Sequence, residues 1–287
     1  MRLHTLRLML LLCLIAAMSV ACTDAQRTPM PAPQGDLDVP YVPTPQELVL
    51  EMLQLAKVTR DDVLYDLGCG DGRIVVTAAQ KFGARGTGVD LDPQRILEAE
   101  DNARQAGVTK RVRFLLQDLF KTDLRDATVV TLYLVPQVNL QLRPTLLRDL
   151  KPGTRVVSHA FSMGDWEPER TIETGGTTLY LWIIPAQVTG TWTWTPPGVT
   201  EVYTLQLAQQ FQRVHGTLRA NGMDMSLTDV ALVGDHLRFT ALPREQGQPG
   251  RLQFDGRVQG DAIVGHVTTH GATAGAQQSW VAQRTSM

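Results

Sequence analysis

Cysteine is scarce in this chain. Its 287 residues include three, Cys13, Cys22 and Cys69. A disulfide framework is excluded, apart from a Cys22–Cys69 pair. No zinc-ligand spacing, Ser-His-Asp arrangement or phosphate-cradling lysine motif occurs, so no metal is expected. Charge of one sign is also lacking. The formal charge is −2 and the basic residues are scattered, which leaves no electrostatic footprint for nucleic acid. The local cluster Lys110-Arg111-Val112-Arg113 reads as a solvated strand edge. Long apolar runs are missing too: Leu8 to Val20 is about 13 residues, too short for an ordinary spanning helix.

What surrounds that run is informative. Arg2 and Arg7 precede it, and Ser19-Val20-Ala21-Cys22 follows with small residues. A basic start, a short apolar stretch and a small-residue cleavage site form a secretory signal pattern over residues 1–21. Cys22 after Ala21 resembles a bacterial lipoprotein acceptor. Ordinary signal cleavage and an uncleaved anchor remain alternatives. Residues 22–40, rich in proline with few large apolar side chains, read as a flexible tether. The expectation is an exported or membrane-attached protein on the periplasmic side of a bacterium.

The most telling segment is Val63-Leu64-Tyr65-Asp66-Leu67-Gly68-Cys69-Gly70-Asp71-Gly72. It reads as a buried strand entering an acidic, glycine-studded turn, with a helix starting near Arg73. Gly68 and Gly70 permit positive φ and close approach of a ligand to bare backbone. A dinucleotide fingerprint needs G-x-G-x-x-G, whereas these glycines fall as G-x-G-x-G. Asp66, two residues before the first glycine, would repel a pyrophosphate. It suits a cationic ligand bearing an amino group and a sulfonium, which points to S-adenosylmethionine (SAM). Two more acids support this. The strand Gly86 to Asp90 ends in Asp90, placed to accept both ribose hydroxyls. The strand Val112 to Phe120 carries Asp118 near its end, placed to accept the adenine amino group, with Leu91 and Leu119 sandwiching the ring. In an open parallel sheet these strand ends share one crevice. Each acid alone also fits a solvated loop or a helix cap, and Asp92 before Pro93 reads as such a cap.

The surrounding pattern alternates strands and helices. Thr44, Pro45 and Glu47 form a capping box opening an apolar helix. Helices are expected over Arg73 to Phe82, Pro93 to Gln105 and Asn139 to Leu150. Strands are expected over Val129 to Val135 and Arg155 to Phe161. A hairpin, Glu167 to Glu173 and Thr177 to Ile184, closes the series. The implied fold is α/β, a seven-stranded Rossmann-like sheet with helices on both faces over residues 41–185. Residues 186–196 read as a linker. Over 197–287 short alternating strands and turn signals such as Gly234-Asp235 and Asp255-Gly256 imply a small antiparallel β-barrel or sandwich. Gly190-Thr191-Trp192 and Trp280 to Arg284 give it a lipocalin-like look. Its function is either packing or binding of a small ligand or partner.

Asp66 to Val75, Gly88-Val89-Asp90 and Gln117 to Phe120 together resemble the class I SAM-dependent methyltransferases. With Tyr41-Val42-Pro43-Thr44-Pro45 and Val135-Pro136-Gln137, the chain is similar to the protein-lysine methyltransferases that act on the adenine nucleotide translocase and on the ATP synthase c-subunit, and to their prokaryotic relatives. The resemblance implies SAM as cofactor and a lysine side chain of a protein as acceptor. An exported enzyme would have to be supplied with SAM, which is made in the cytoplasm. The acceptor side should lie at the ends of strands four and five, among Tyr133, Gln137, Asn139, Ser158, His159 and Trp166. Tyr133 could orient the amine, His159 relay a proton and Trp166 wall the methyl path. Each has a structural alternative: core for Tyr133, a satisfied strand-end histidine for His159, a staple for Trp166. No long insertion caps the crevice, which favours a protruding side chain of a protein. Methylation of a small molecule, and an envelope binding protein acting through the β-domain, are the competing readings.

Overall fold

A computed structural model describes residues 41–198, 200–220, 222–243, 250–270, 275 and 277–286. The expected signal segment 1–21 and tether 22–40 lie outside the described residues. Among those described, no helix is long and apolar enough to cross a membrane.

The first half is a seven-stranded sheet flanked by helices. Its elements are α1 (Gln46–Leu55), β1 (Val63–Leu67), α2 (Arg73–Thr77) extended by a π-helical turn (Ala78–Phe82), β2 (Arg85–Asp90), α3 (Pro93–Gln105), β3 (Val112–Leu116), β4 (Val129–Leu132), α4 (Pro136–Asp149), β5 (Arg155–His159), β6 (Arg170–Thr174) and β7 (Thr177–Ile183). The strand order is β3-β2-β1-β4-β5-β7-β6. The five leading strands pair in parallel, and β7 runs antiparallel to both β5 and β6. The order reverses between β1 and β4, so a crevice opens beyond their carboxyl ends.

Strand alternation sends neighbouring residues to opposite faces. Leu64, Val129 and Val157 pack with Val49, Met52, Leu53 and Val75 on the α1–α2 face. Leu67, Val130, Leu132 and Val156 pack with Val138, Leu142 and Leu146 of α4 on the other. Helices on both faces thus follow from apolar strands that have no solvent side.

Several boundaries move from the sequence expectation. β4 stops at Leu132, and α4 begins at Pro136 rather than Asn139, because proline with its preset φ takes the first helical position. β3 ends at Leu116. Asp118 then caps a 3₁₀ turn (Leu119–Lys121), its Oδ1 accepting from Phe120 N at 2.9 Å. The capping box at α1 is absent: the cap position is Pro45, with no side-chain hydrogen bond. Asp92 does cap α3, accepting from Gln94 N at 2.8 Å.

The second half is a closed barrel of eight strands, β8 (Gly190–Trp194) to β15 (Gln277–Ser286). β8 lies inside the stretch read as a linker. It closes the barrel by pairing with both β9 (Tyr203–Gln210) and β15, so no edge is left open. The interior holds packed rings. Phe239 and Phe254 are stacked, 4.6 Å apart between centroids, while Phe254 and Trp280, at 4.9 Å, and Trp194 and Trp280, at 5.6 Å, meet edge-to-face.

The two halves share a built contact. Phe211, at the β9–β10 turn (β10 being Arg213–Ala220), packs into the core of the first half. Its ring stacks on Trp166 at 5.9 Å. Trp166 Nε1 donates to Gln212 Oε1 at 3.0 Å, and Gln212 Nε2 donates to the Glu167 carbonyl at 2.7 Å.

Candidate active site

The site begins with the turn after β1. Gly68, Gly70 and Gly72 adopt φ of 78°, 52° and 74°, backbone that a side chain makes costly. The turn is stitched to the end of β2: Gly68 N and Cys69 N donate to the Val89 carbonyl at 2.8 and 2.9 Å. Gly70 N donates to Asp90 Oδ2 at 2.8 Å, and Asp92 N to Asp90 Oδ1 at 2.9 Å. Asp90 is thus held by main chain, and each oxygen keeps a lone pair for a ligand.

The sequence reading assigns the bare backbone to ligand approach. Packing claims it as well. A Cβ on Gly68 would lie 2.7 Å from Leu134 Cδ2, and one on Gly70 2.5 Å from Tyr41 Cε2. Tyr41 lies across the turn, with the Arg95 guanidinium 4.5 Å from its ring centroid.

An open crevice is lined by Asp66, Gly68, Gly70, Asp90, Leu91, Asp118 and Leu119, with Tyr41, Gln117 and Tyr133 among others. Every residue proposed from sequence for the cofactor lines this one crevice.

Electrostatics divide the acids. Asp66 is buried, and burial first, then the neighbouring charges of Asp90 and Asp71, raise its carboxyl from 3.8 to about 7, against the bond donated by Thr131 Oγ1 at 2.7 Å. A positively charged ligand would relieve that cost. For Asp71, burial works upward, but the hydrogen bonds and charge of Arg73 win and lower its value. Burial holds the Cys69 thiol well above its usual value, so it stays protonated and is no nucleophile.

The acceptor side is built by the ends of β4 and β5. Tyr133 lines the crevice, and His159 stacks on its ring at 3.8 Å. Phe161 lies 6.4 Å from Tyr133 on a near-parallel plane. Between His159 and Phe161, Ala160 takes φ 67°, a strained value for a residue with a Cβ. Asn139 Nδ2 holds this corner, donating to Ser158 Oγ and the Phe161 carbonyl, both at 3.2 Å. Burial lowers the His159 pKa, so its imidazole is neutral at neutral pH.

Trp166 is not at the crevice. It is 1% exposed, its carbonyl accepts from Trp182 Nε1 at 2.8 Å, and its indole N–H goes to the barrel turn. It is a staple rather than a wall. Gln137 is solvent-exposed on α4. Arg95 and Phe161 are site elements that no local signal marked, because their contacts are made across the fold; Tyr41 belongs to a segment that carries the family resemblance, but its place across the glycine turn is seen only in the structure.

A glycine turn at the switch point, with acids at the ends of β1, β2 and β3, defines a class I SAM-dependent methyltransferase. The donor set lining the crevice fits SAM: Asp66 is a buried carboxylate suited to a cationic end, and Asp90 and Asp118, with Leu91 and Leu119, are the acceptors and apolar surfaces that a ribose and a base would need. Residues 66–170 match the family described as ANTKMT methyltransferase domain. A protein-lysine N-methyltransferase of Saccharolobus islandicus is 48% identical over 151 residues, 51% of this chain and 94% of that protein. An ATP synthase c-subunit lysine N-methyltransferase of Xenopus laevis is 32% identical over 163 residues, 56% of this chain and 71% of that protein. A solved structure of a Salinibacter ruber RNA methyltransferase in complex with S-adenosyl-L-homocysteine is 51% identical, with a TM-score of 0.51, covering 56% of this chain and all of that one. The chain belongs to the protein-lysine N-methyltransferase family.

Proposed function

We propose that the chain methylates the side-chain nitrogen of a lysine in a protein. The observation that carries this is a crevice, open among the described residues, with an acidic cofactor end and Tyr133 on its wall, backed by His159 and flanked by Phe161. SAM, when bound, supplies an electrophilic methyl on a sulfonium. A lysine ammonium entering beside Tyr133 must first lose a proton, which a poorly hydrated aromatic wall favours by lowering its pKa. The free amine then forms the new C–N bond as the S–C bond breaks, and S-adenosylhomocysteine is left. The Tyr133 hydroxyl is assigned to orienting the amine and the neutral His159 to receiving the proton. The chain's task is alignment and exclusion of water.

Names of relatives support the lysine acceptor. The Salinibacter ruber relative is named for RNA, so RNA is the second reading; a net charge of −2 without a basic patch speaks against it. Incubation with methyl-labelled SAM and whole-cell extract, followed by separation of protein, RNA and small solutes, decides between them. Label recovered as N-methyl-lysine after acid hydrolysis is expected. Label confined to ribonuclease-sensitive material or to small solutes would overturn the lysine assignment. We also retain export or membrane attachment, supported by Arg2, Arg7, the Leu8 to Val20 run and Cys22. Fractionation of cells expressing the full chain tests it.

A further inference from the structure

Thr44 opens the Thr44-Pro45-Gln46-Glu47 stretch, which has the form of a helix cap, yet it caps nothing. The residue is 3% exposed, and a buried hydroxyl without a partner is costly. Its partner is His159 Nδ1, 3.3 Å away and 115 residues further along the chain. Its carbonyl is held as well, accepting from Arg73 Nη1 at 2.9 Å. Arg73 is itself clamped on Asp71 of the glycine turn, with Nη2 2.6 Å from Oδ2. One residue is therefore bonded through its carbonyl to the cofactor turn and through its hydroxyl to the imidazole stacked on Tyr133.

We infer that Thr44 is a positioning residue for methyl transfer: its hydroxyl, hydrogen-bonded to Nδ1, holds the His159 ring in one rotation, and thereby sets the Tyr133 face against which the acceptor amine is aligned. The inference rests on the acceptor-side reading given above. The two edges of a neutral imidazole differ, one carrying Nδ1 and the other Cδ2, and a hydroxyl can bond Nδ1 in either tautomer. Among the described residues Thr44 is the hydrogen-bond partner of His159, so nothing else among them pins the ring by a polar bond. The stack on Tyr133 alone does not distinguish the ring from its 180° flip about the Cβ–Cγ bond. In-line transfer is sensitive to such freedom, since a displacement of about 1 Å can cost on the order of a hundredfold in rate.

The test compares Thr44→Val, which keeps the branched shape and removes the hydroxyl, with Thr44→Ser, which keeps the hydroxyl. Imidazole nitrogen NMR on the full chain reads the hydrogen bond at Nδ1, with the His159 signals identified by their loss in His159→Asn. Calorimetry with SAM reads the cofactor site, and methyl transfer to whole-cell protein reads turnover. Thr44→Val is expected to move the His159 Nδ1 shift away from its wild-type value as the hydrogen bond is lost. It should lower kcat roughly tenfold to a hundredfold, while leaving SAM affinity within about a factor of two. Thr44→Ser should restore the shifts and kcat. Wild-type nitrogen shifts in Thr44→Val, or shifted signals with unchanged kcat, would overturn the inference. Should the wild-type chain label no protein at all, the lysine reading has failed, and the nitrogen shifts alone then uphold or overturn the hold of Thr44 on the ring.

Discussion

The sheet half and the barrel half bury different things. Twelve polar or charged side chains are buried among the described residues, and all but Thr240 belong to the sheet half, including Asp66, Thr131, Asn139, Ser158 and His159. The barrel instead buries Trp192, Trp194, Phe239, Phe254 and Trp280 in one cluster. Burying a polar group costs stability unless it is fully bonded, whereas burying rings contributes it. The sheet half accepts that cost at the crevice, together with the strained Ala160. The difference sets a first half that buries polar groups around the crevice against a ring-packed barrel that joins it through Phe211, Gln212 and Trp166.

The comparison can be broken most sharply in the barrel. Trp280→Ala should cost about 3–5 kcal/mol of stability, as large-to-small core substitutions do, with SAM affinity unchanged at temperatures where the protein is folded. A thermal melt paired with calorimetry checks this, and a fall in SAM affinity would mean that the barrel belongs to the site. Asp90→Ala acts at the crevice, and it also removes the acceptor of the Gly70 and Asp92 N–H groups. Loss of hydrogen bonds to a charged acceptor, worth about 1.5–3 kcal/mol, should weaken SAM binding roughly tenfold or more. Unchanged affinity would remove Asp90 from the ribose position.

The pH dependence sharpens the electrostatic side. Asp66 titrates near 7 when folded, against 3.8 ordinarily. Between those values the folded state holds one more proton than the unfolded chain, so this group's contribution to stability declines as pH rises from about 4 to about 7. Binding of a cation favours the ionised form, so SAM affinity should rise with pH through about 7. Asp66→Asn should flatten both trends; unfolding midpoints and titrations from pH 5 to 8 measure them. The smallest effect is expected at the joint. Trp166→Phe keeps the ring stack and removes the bond to Gln212, costing about 1 kcal/mol. Its signature would be a barrel that melts ahead of the sheet half in differential scanning calorimetry.

Much of the site is legible in the chain because its signals are local. The G-x-G-x-G spacing, an acid just before it and acids at the ends of two further strands are set by strand alternation and turn chemistry within a few residues. Asp66, Asp90 and Asp118 can be placed without knowing what packs where. The apparent Thr44 cap misleads for the same reason: Thr44, Pro45 and Glu47 satisfy a local rule, and the competing partner, His159, is far away in sequence. Trp166 follows the expected strand end but faces away from the crevice, since only the barrel's Gln212 and Phe211 show which side of it is occupied.

By itself the sequence determined the parallel sheet, the switch-point crevice, the acid set that lines it, and an all-β second half. Each rests on periodicity or spacing over fewer than about ten residues. Tertiary structure alone decided that Thr44 ties Asp71 and Arg73 to His159, that Gly190–Trp194 closes the barrel, and that Trp166 faces the joint. Those outcomes depend on which side chain reaches a partner across many tens of residues, and no local pattern encodes the path by which the chain returns.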